Sequence, residues 1–202
     1  MLLRKENVVD GALALLDEEG LDGLTMRKLG AALGVRASAL YRHFPSKEAL
    51  LDAMAERLVE GLGDPRPEGR WDERLTVLAH RFREALLSHR DGARVFAGTF
   101  ISEPNSNALG GAVVQALTEA GVPTERAGWI TFAGMYYVLG HTIEEQAQHL
   151  AGADWAARES HSPPDDAEFA QALRAVIVAD PAERFDFGLA LFIDGVRQQL
   201  PS

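Results

Sequence analysis

Two short helical patterns in tandem near the N-terminus constrain the fold of this chain most. Thr25 is suited to cap a helix in "MRKLGAALG", whose apolar residues share one face and whose last residue, Gly34, is suited to end it. A second pattern, "RASALYRHF", follows at once and stops at Pro45, after which Ser46 can cap a longer helix. Two short helices joined by a turn with a glycine predict a helix-turn-helix, whose second helix fits the DNA major groove.

The charge of this segment supports the same prediction. The chain has 202 residues and a formal net charge of −10, yet residues 25–47 contain no acidic residue. Five cationic side chains give the segment a charge of +5, which leaves −15 for the rest of the chain. A concentrated cationic surface on an acidic protein is typical of a face that binds an anion such as DNA. The alternative is an ordinary solvated helix face.

The remaining sequence predicts helices throughout, so the expected fold class is all-α. A first helix starts near Val8 and ends at Gly20, and the helix that follows Ser46 reaches about residue 62. Beyond the Pro/Gly-rich break "GDPRPEGRW", helical patterns cover residues 71–89, 91–99, 106–120, 124–150, 168–178 and 182–200. A polar stretch with two prolines follows residue 150 and is typical of a loop.

Composition excludes several classes of protein. The chain has no cysteine, which rules out disulfides and thiolate metal sites. Its N-terminus lacks a signal-peptide layout, so we expect a cytoplasmic location. Residues 127–143 are uncharged, but 17 residues lie at the lower limit for a membrane span. The glycine, tyrosine and histidine content of this segment favours a buried helix instead.

The sequence carries no pattern typical of an enzyme, and we predict no catalytic residue. It lacks a G-x-S-x-G elbow, a P-loop and a dinucleotide fingerprint, and the neighbouring Ser, His and Asp of residues 88–91 cannot converge as a triad. His141, Glu145 and His149 recur along one helix with Glu144 beside them. They could bind a divalent metal or form a polar gate to a pocket, but paired Glu-x-x-His motifs are missing, so we predict no metal site.

Several stretches resemble a known family. "LTMRKLGAALGVRASALYRHFPSKEALLDAM" resembles the DNA-binding head of the TetR family of bacterial regulators, and "ALLSHRDGARVFAGT", "LGHTIEEQ" and "FGLALFIDGVRQQL" resemble the tetracycline-repressor subgroup. The resemblance implies a homodimer that reads a palindromic DNA operator and binds a small effector. It also implies a helix-turn-helix head over residues 1–46, a connecting helix over 47–65 and a ligand-binding and dimerisation domain over 66–202. Helices 124–150 and 182–200 would form a four-helix dimer bundle.

The resemblance assigns the DNA contacts residue by residue. Arg27, with Arg36 or Arg42, is expected to read bases, because a guanidinium can bind guanine through two hydrogen bonds. Tyr41 and Lys47 are expected to contact phosphates. The tetracycline repressor has Gln-Pro-Thr where this chain has Ala-Ser-Ala, so the operator sequence should differ. The predicted DNA-binding residues are Thr25, Met26, Arg27, Arg36, Ala37, Ser38, Ala39, Tyr41, Arg42, His43 and Lys47.

The same comparison predicts a pocket with altered chemistry. Phe96 stands where the tetracycline repressor has the histidine that binds the drug's magnesium, and Leu78 replaces an asparagine that holds the drug. Glu144 is retained at a second metal-linked position. We therefore expect a flat aromatic ligand bound without metal or other cofactor, although the aromatic residues could simply fill a core. The predicted pocket residues are Phe82, Leu86, Phe96, Thr99, Phe100, Phe132, Tyr136, Tyr137, His141 and Glu144.

The predicted function is a dimeric, ligand-released transcriptional repressor. The alternatives are an activator with the same head, or a helical ligand-binding protein or enzyme that kept the fold. The resemblance further implies that effector binding moves helix 91–99 against the helix that begins at Lys47. Gly92 and Gly98 bracket the moving helix, where backbone angles can change at low cost.

Overall fold

The computed structural model describes residues 3–99, 103–151 and 166–200, and every regular element within these ranges is a helix. This confirms the predicted all-α fold class. The described helices are α1 (Lys5–Gly23), α2 (Met26–Ala32), α3 (Ala37–Leu40), α4 (Lys47–Leu58), α5 (Trp71–Leu87), α6 (Gly92–Ala97), α7 (Pro104–Glu119), α8 (Thr124–Ala151), α9 (Ala167–Val178) and α10 (Pro181–Arg197).

Capping residues fix the helix starts in the N-terminal region. The Oγ1 atom of Thr25 accepts the backbone N–H of Lys28 at 3.2 Å, and the Oγ atom of Ser46 accepts that of Ala49 at 3.1 Å. Both predicted caps are therefore confirmed. Between α2 and α3 the chain turns at Gly34, whose φ of 66° lies in the left-handed region that favours glycine.

Some helices end at other positions than the pattern predicts. Helix α3 covers only Ala37–Leu40, because the N–H of His43 already bonds the carbonyl of Leu40 in a tighter turn before Pro45. Helix α4 ends at Leu58, and the chain then turns with a φ of 74° at Gly61. Helix α1 bends at the predicted end, Gly20, but continues to Gly23. From α5 onward the helix ends lie within three residues of the predicted ones.

A hydrophobic cluster runs from the N-terminal helices into the larger helical region. Leu16 of α1, Leu29 of α2 and Leu40 of α3 are fully buried in it. The cluster continues through α4 and α5 and reaches Phe185 of α10, which has no exposed surface. The two parts share buried side chains, so a displacement of one part changes the packing of the other.

Helices α8 and α10 pack against each other and leave large apolar side chains uncovered. Trp129 and Tyr136 of α8 are 67% and 63% exposed, and Phe187 and Leu191 of α10 are 69% and 59% exposed. An apolar surface of this kind marks a protein interface. It fits the expected four-helix bundle between two subunits. None of the described helices combines the length and apolar character that a membrane crossing requires.

Candidate DNA interface and ligand cavity

Helices α2 and α3 form the helix-turn-helix that the sequence predicts. They approach each other closely at Gly30, where a Cβ atom would lie only 2.9 Å from the carbonyl oxygen of Val35. The N–H of Val35 also bonds the carbonyl of Gly30 at 2.8 Å, which closes the turn. Leu29 and Leu40 point from the two helices into the common core. The opposite faces of α2 and α3 are thereby held in a fixed relation.

Most predicted DNA-binding residues lie on this outer surface. Arg27, Arg36 and Arg42 are exposed, and within the described part of the chain they have no hydrogen bond or ion pair to another side chain. Thr25, Ser38 and Tyr41 are exposed, and the partly exposed members of the set are Ala37, Ala39, His43 and Lys47. Three uncommitted guanidinium groups on one surface can bind phosphates or base edges.

Three cationic or predicted contact residues are placed differently. The side chain of Met26 is buried in the core, so it does not belong to the outer surface. Lys28 forms an ion pair with Glu19 of α1 at 2.8 Å. The ammonium group of Lys47 lies 3.5 Å from the carbonyl oxygen of Leu21, at the edge of hydrogen-bonding distance. The acid-free segment thus meets one acidic side chain of α1, Glu19.

Asp91 joins the N-terminal region to α6. It is 4% exposed, and its Oδ2 atom accepts the backbone N–H of Leu21 in α1 at 2.9 Å. Its Oδ1 atom accepts Arg94 at 3.1 Å, and Arg94 reaches Asp22 of α1 at 3.3 Å. Asp91 itself has a φ of 57°, which is uncommon for a residue other than glycine. The junction is therefore held by specific polar contacts.

A second set of contacts strengthens this junction. Asp17 of α1 accepts the backbone N–H of Arg90 at 2.9 Å and lies 2.8 Å from Nδ1 of His89. The predicted hinge residue Gly92 is tightly packed here, since a Cβ atom would lie 2.3 Å from the carbonyl oxygen of Leu86. The unusual backbone angle at the start of α6 belongs to Asp91 instead.

A cavity of about 250 Å³ lies between α5, α6, α7, α8 and α10. Phe82 and Phe96 meet edge to face at its wall, with ring centroids 5.0 Å apart. Every lining side chain is uncharged. The lining residues are Leu75, Leu78, Ala79, Phe82, Phe96, Ser106, Asn107, Leu109, Gly110, Gly111, Val113, Val114, Gly128, Ile130, Thr131, Phe132, Gly134, Met135, Val138, Leu189 and Phe192.

The cavity contains three of the predicted pocket residues, Phe82, Phe96 and Phe132. The other predicted positions that are described lie outside its wall. Leu86 is fully buried in the core, Tyr136 faces outward, and Thr99 bonds back to the carbonyl of Phe96. Glu144 is exposed on α8, and Tyr137 and His141 pack against Phe185. Phe100 lies outside the described residues.

His141 and Glu145 of α8 both form structural contacts within the protein. Glu145 accepts two hydrogen bonds from Arg83, at 2.9 and 2.6 Å, and the guanidinium of Arg83 lies 5.1 Å from the ring centre of Phe185. The Nε2 atom of His141 donates to the carbonyl of Pro181 at 2.9 Å. Burial lowers the pKa of His141 below its ordinary 6.5, although this bond and the carboxylate of Glu145 oppose the shift.

These contacts decide whether the site fits a metal. The phenyl ring of Phe96 offers no ligand atom, Glu144 is away from the cavity, and His141 and Glu145 already have protein partners. Across residues 3–99, 103–151 and 166–200, no three His, Asp or Glu side chains cluster closely enough to hold a metal ion. The described donor set therefore does not fit the magnesium ion that the family resemblance implies for a drug-bound repressor.

Sequence reasoning did not predict the long-range contacts that connect the elements. Asp91 bonds a backbone group 70 positions away, and Arg83 pairs with a residue 62 positions away. Glu56 of α4 binds the first turn of α7 through the N–H groups of Asn105 and Ser106, at 2.8 and 3.0 Å. A charged residue within an otherwise apolar helix face is the signal that could have indicated such pairs.

Comparisons with known proteins agree with this architecture. Residues 8–54 match the sequence model of the bacterial regulatory proteins of the tetR family, and residues 64–200 match that of the tetracyclin repressor-like C-terminal domain. The chain is 38% identical over 204 residues to the tetracycline repressor protein class A from transposon 1721 of Escherichia coli. The match covers 98% of this chain and 92% of that protein.

Two solved structures extend the comparison. A possible TetR family transcriptional regulator from Streptomyces coelicolor A3(2) is 40% identical, with a TM-score of 0.89 over 96% of this chain and 99% of that chain. BioQ in complex with its double-stranded DNA operator is 29% identical, with a TM-score of 0.71 over 96% of this chain and 98% of that chain. The family resemblance predicted from the sequence is thereby confirmed.

Proposed function

Because this chain belongs to the TetR family of ligand-responsive, DNA-binding repressors, we propose that a small aromatic ligand, bound without metal in the cavity, releases it from its operator. The observation that carries this proposal is the uncharged wall around Phe82 and Phe96. A flat aromatic ring buries apolar surface against such a wall and can stack on or meet the edges of the phenyl rings.

The DNA side of the proposal rests on the exposed arginines. Arg27, Arg36 and Arg42 have no competing partner among the described residues, so they are available to bases and phosphates. Two helix-turn-helix units related by a two-fold axis read half-sites about 34 to 36 Å apart. The apolar surface of α8 and α10 supports the dimer that this spacing needs. Such a regulator acts in the cytoplasm, where the bacterial chromosome lies.

The cavity can be closed by substitution, which gives a direct test. Gly110 of α7 lines the cavity, and a Cβ atom there would meet no other atom within 4 Å. Gly110→Leu is therefore expected to fill part of the cavity while alanine at the same position leaves most of it open. A ligand at 100 times its Kd stabilises the folded state by about 2.7 kcal/mol.

The measurement is the thermal unfolding midpoint with a panel of aromatic compounds. For a chain of this size the wild type should gain roughly 5 to 10 °C with a saturating ligand, since about 2 to 4 °C corresponds to 1 kcal/mol. The Gly110→Leu variant should gain little, and Gly110→Ala should resemble the wild type. Tetracycline with magnesium is the comparison ligand, because the class A relative is a tetracycline repressor. Stabilisation by that pair alone would contradict the proposal.

A further inference from the structure

We infer that the cavity selects uncharged ligands that carry a hydrogen-bond donor, and that Ser106 together with Glu56 makes this choice. The inference rests on the proposed function, since it concerns the ligand of the same cavity. It adds the polarity of that ligand, which the absence of charge on the wall does not specify by itself. Glu56 is not itself part of the cavity wall.

The hydroxyl hydrogens on the cavity wall are already used by the protein. Thr131 donates its hydroxyl to the carbonyl of Ala127 at 2.7 Å, one turn earlier in α8. Ser106 donates its hydroxyl to the Oε1 atom of Glu56. The direction of the second bond is fixed, because a carboxylate oxygen only accepts. Both hydroxyl oxygens therefore offer lone pairs, which complement an O–H or N–H group of a ligand.

The charge behind the wall is negative. The carboxylate of Glu56 accepts the backbone N–H groups of Asn105 and Ser106, at 2.8 and 3.0 Å, at the start of α7. In the part of the chain that the structure describes, Glu56 has no lysine, arginine or histidine partner. Its charge is met by the two backbone N–H groups, the Ser106 hydroxyl and the α7 dipole. A ligand carboxylate bound near Ser106 would add a second negative charge that no cation on the wall offsets.

Three probes of similar size separate these effects. 1-Naphthol is neutral with a donor, 1-methoxynaphthalene has an acceptor but no donor, and 1-naphthoate is anionic at pH 7. Isothermal titration calorimetry on the full-length protein should give 1-naphthol a Kd about five- to tenfold lower than 1-methoxynaphthalene, as one added hydrogen bond implies. We expect 1-naphthoate to bind at least tenfold more weakly than 1-naphthol.

Two variants assign the selection to named residues. Ser106→Ala should bring the Kd values of 1-naphthol and 1-methoxynaphthalene closer together, because the wall then loses one of its two hydroxyl acceptors. Glu56→Gln keeps the shape but removes the charge, and it should lower the Kd of 1-naphthoate about tenfold. The control is Glu60→Gln, which makes the same change on the solvent-exposed side of the segment after α4, where Glu60 pairs with Arg57. That control should leave all three Kd values unchanged.

The outcomes distinguish this inference from the proposed function. If all three probes bind the wild type with equal Kd, or 1-naphthoate binds best, the selection by Ser106 and Glu56 is refuted while an aromatic cavity stands. If none of the probes binds, the proposed function fails and this inference fails with it. The comparison of probes in the wild type decides the matter even if a variant does not fold.

Discussion

Replacing Asp91 by alanine tests how firmly the N-terminal region is attached to α6. The change removes the acceptor of the partly buried Leu21 N–H and one of the two carboxylate partners of Arg94. An unsatisfied buried N–H costs about 1 to 3 kcal/mol. Alanine would also have to adopt the left-handed φ of 57°, which costs about 1 to 2 kcal/mol. We therefore expect the free energy of unfolding to fall by about 2 to 5 kcal/mol.

Two other substitutions at Asp91 separate the two contributions. Asparagine tolerates the left-handed region and keeps an acceptor for Leu21, so it should cost about 1 kcal/mol for the lost charge. Glycine removes the strain but not the lost bonds, so it should cost about 1 to 3 kcal/mol. Asparagine at position 91 should therefore destabilise the protein least, glycine more, and alanine most.

The assay is urea unfolding at one fixed protein concentration, because the stability of a dimer depends on concentration. Asp22→Ala is the matched control, since Asp22 binds the same Arg94 but its side chain is 89% exposed. It should change the free energy of unfolding by less than about 0.5 kcal/mol. If alanine at Asp91 is no worse than asparagine, or if the control costs as much, the attachment does not depend on Asp91.

Three further predictions concern DNA binding, the core and pH. Arg42→Ala should reduce the free-energy preference for the correct base pair at one operator position by about 1 to 3 kcal/mol. Lys47→Ala should weaken binding to all DNA sequences alike. Titration with specific and random DNA measures both effects. Glu145→Ala should lower the free energy of unfolding by about 3 to 5 kcal/mol, because it leaves Arg83 buried without its carboxylate partner. In the same urea assay, changing both Arg83 and Glu145 to methionine should lower the free energy of unfolding much less. The pKa of His141 is lower in the folded protein than in the unfolded chain, so the unfolded chain binds the proton more readily. The free energy of unfolding should therefore fall as the pH drops below about 6.5. In urea titrations, the His141→Gln variant should lose less stability between pH 7.5 and pH 5.5 than the wild type. Equal losses in wild type and variant would show that His141 does not cause this pH dependence.

The sequence predicted the parts of the fold that local chemistry determines. Thr25 and Ser46 cap helices as expected, because an N-cap needs only one side chain and a backbone group three positions away. Gly34 ends the turn for a similarly local reason. The end of α4 was misplaced because nothing in its apolar periodicity marks the turn that follows Leu58.

The cavity was less accessible to sequence reasoning. Helix α8 is apolar around most of its circumference, so its periodicity did not show which side faces the cavity. Of two predicted pocket residues on α8, Phe132 lines the cavity, whereas Tyr136 lies on the outward side of the helix. The wall contributed by α7, including Ser106 and Gly110, lies between residues 101 and 129, outside the stretches that resemble the family. Contacts such as Glu56 with α7 join residues about 50 positions apart, which no local pattern indicates.

The exposed arginines and the uncharged cavity point to two separate binding functions. The arginines indicate that α2 and α3 can bind DNA, and the cavity indicates that a ligand can bind between α5 and α10. The Asp91 junction and the shared hydrophobic cluster link the two. A ligand changes DNA affinity only to the extent that it binds the two DNA-binding states differently, typically by 1 to 3 kcal/mol.

The most direct test of the central claim is operator release measured by fluorescence anisotropy with and without EDTA. The DNA is a labelled palindrome selected by the protein, and the ligand is an aromatic compound that stabilises the wild type but not Gly110→Leu. Metal-free binding in the cavity predicts that this ligand releases the wild type equally well with EDTA, and that it fails to release Gly110→Leu. Release that EDTA abolishes, or that persists undiminished in Gly110→Leu, would contradict the account.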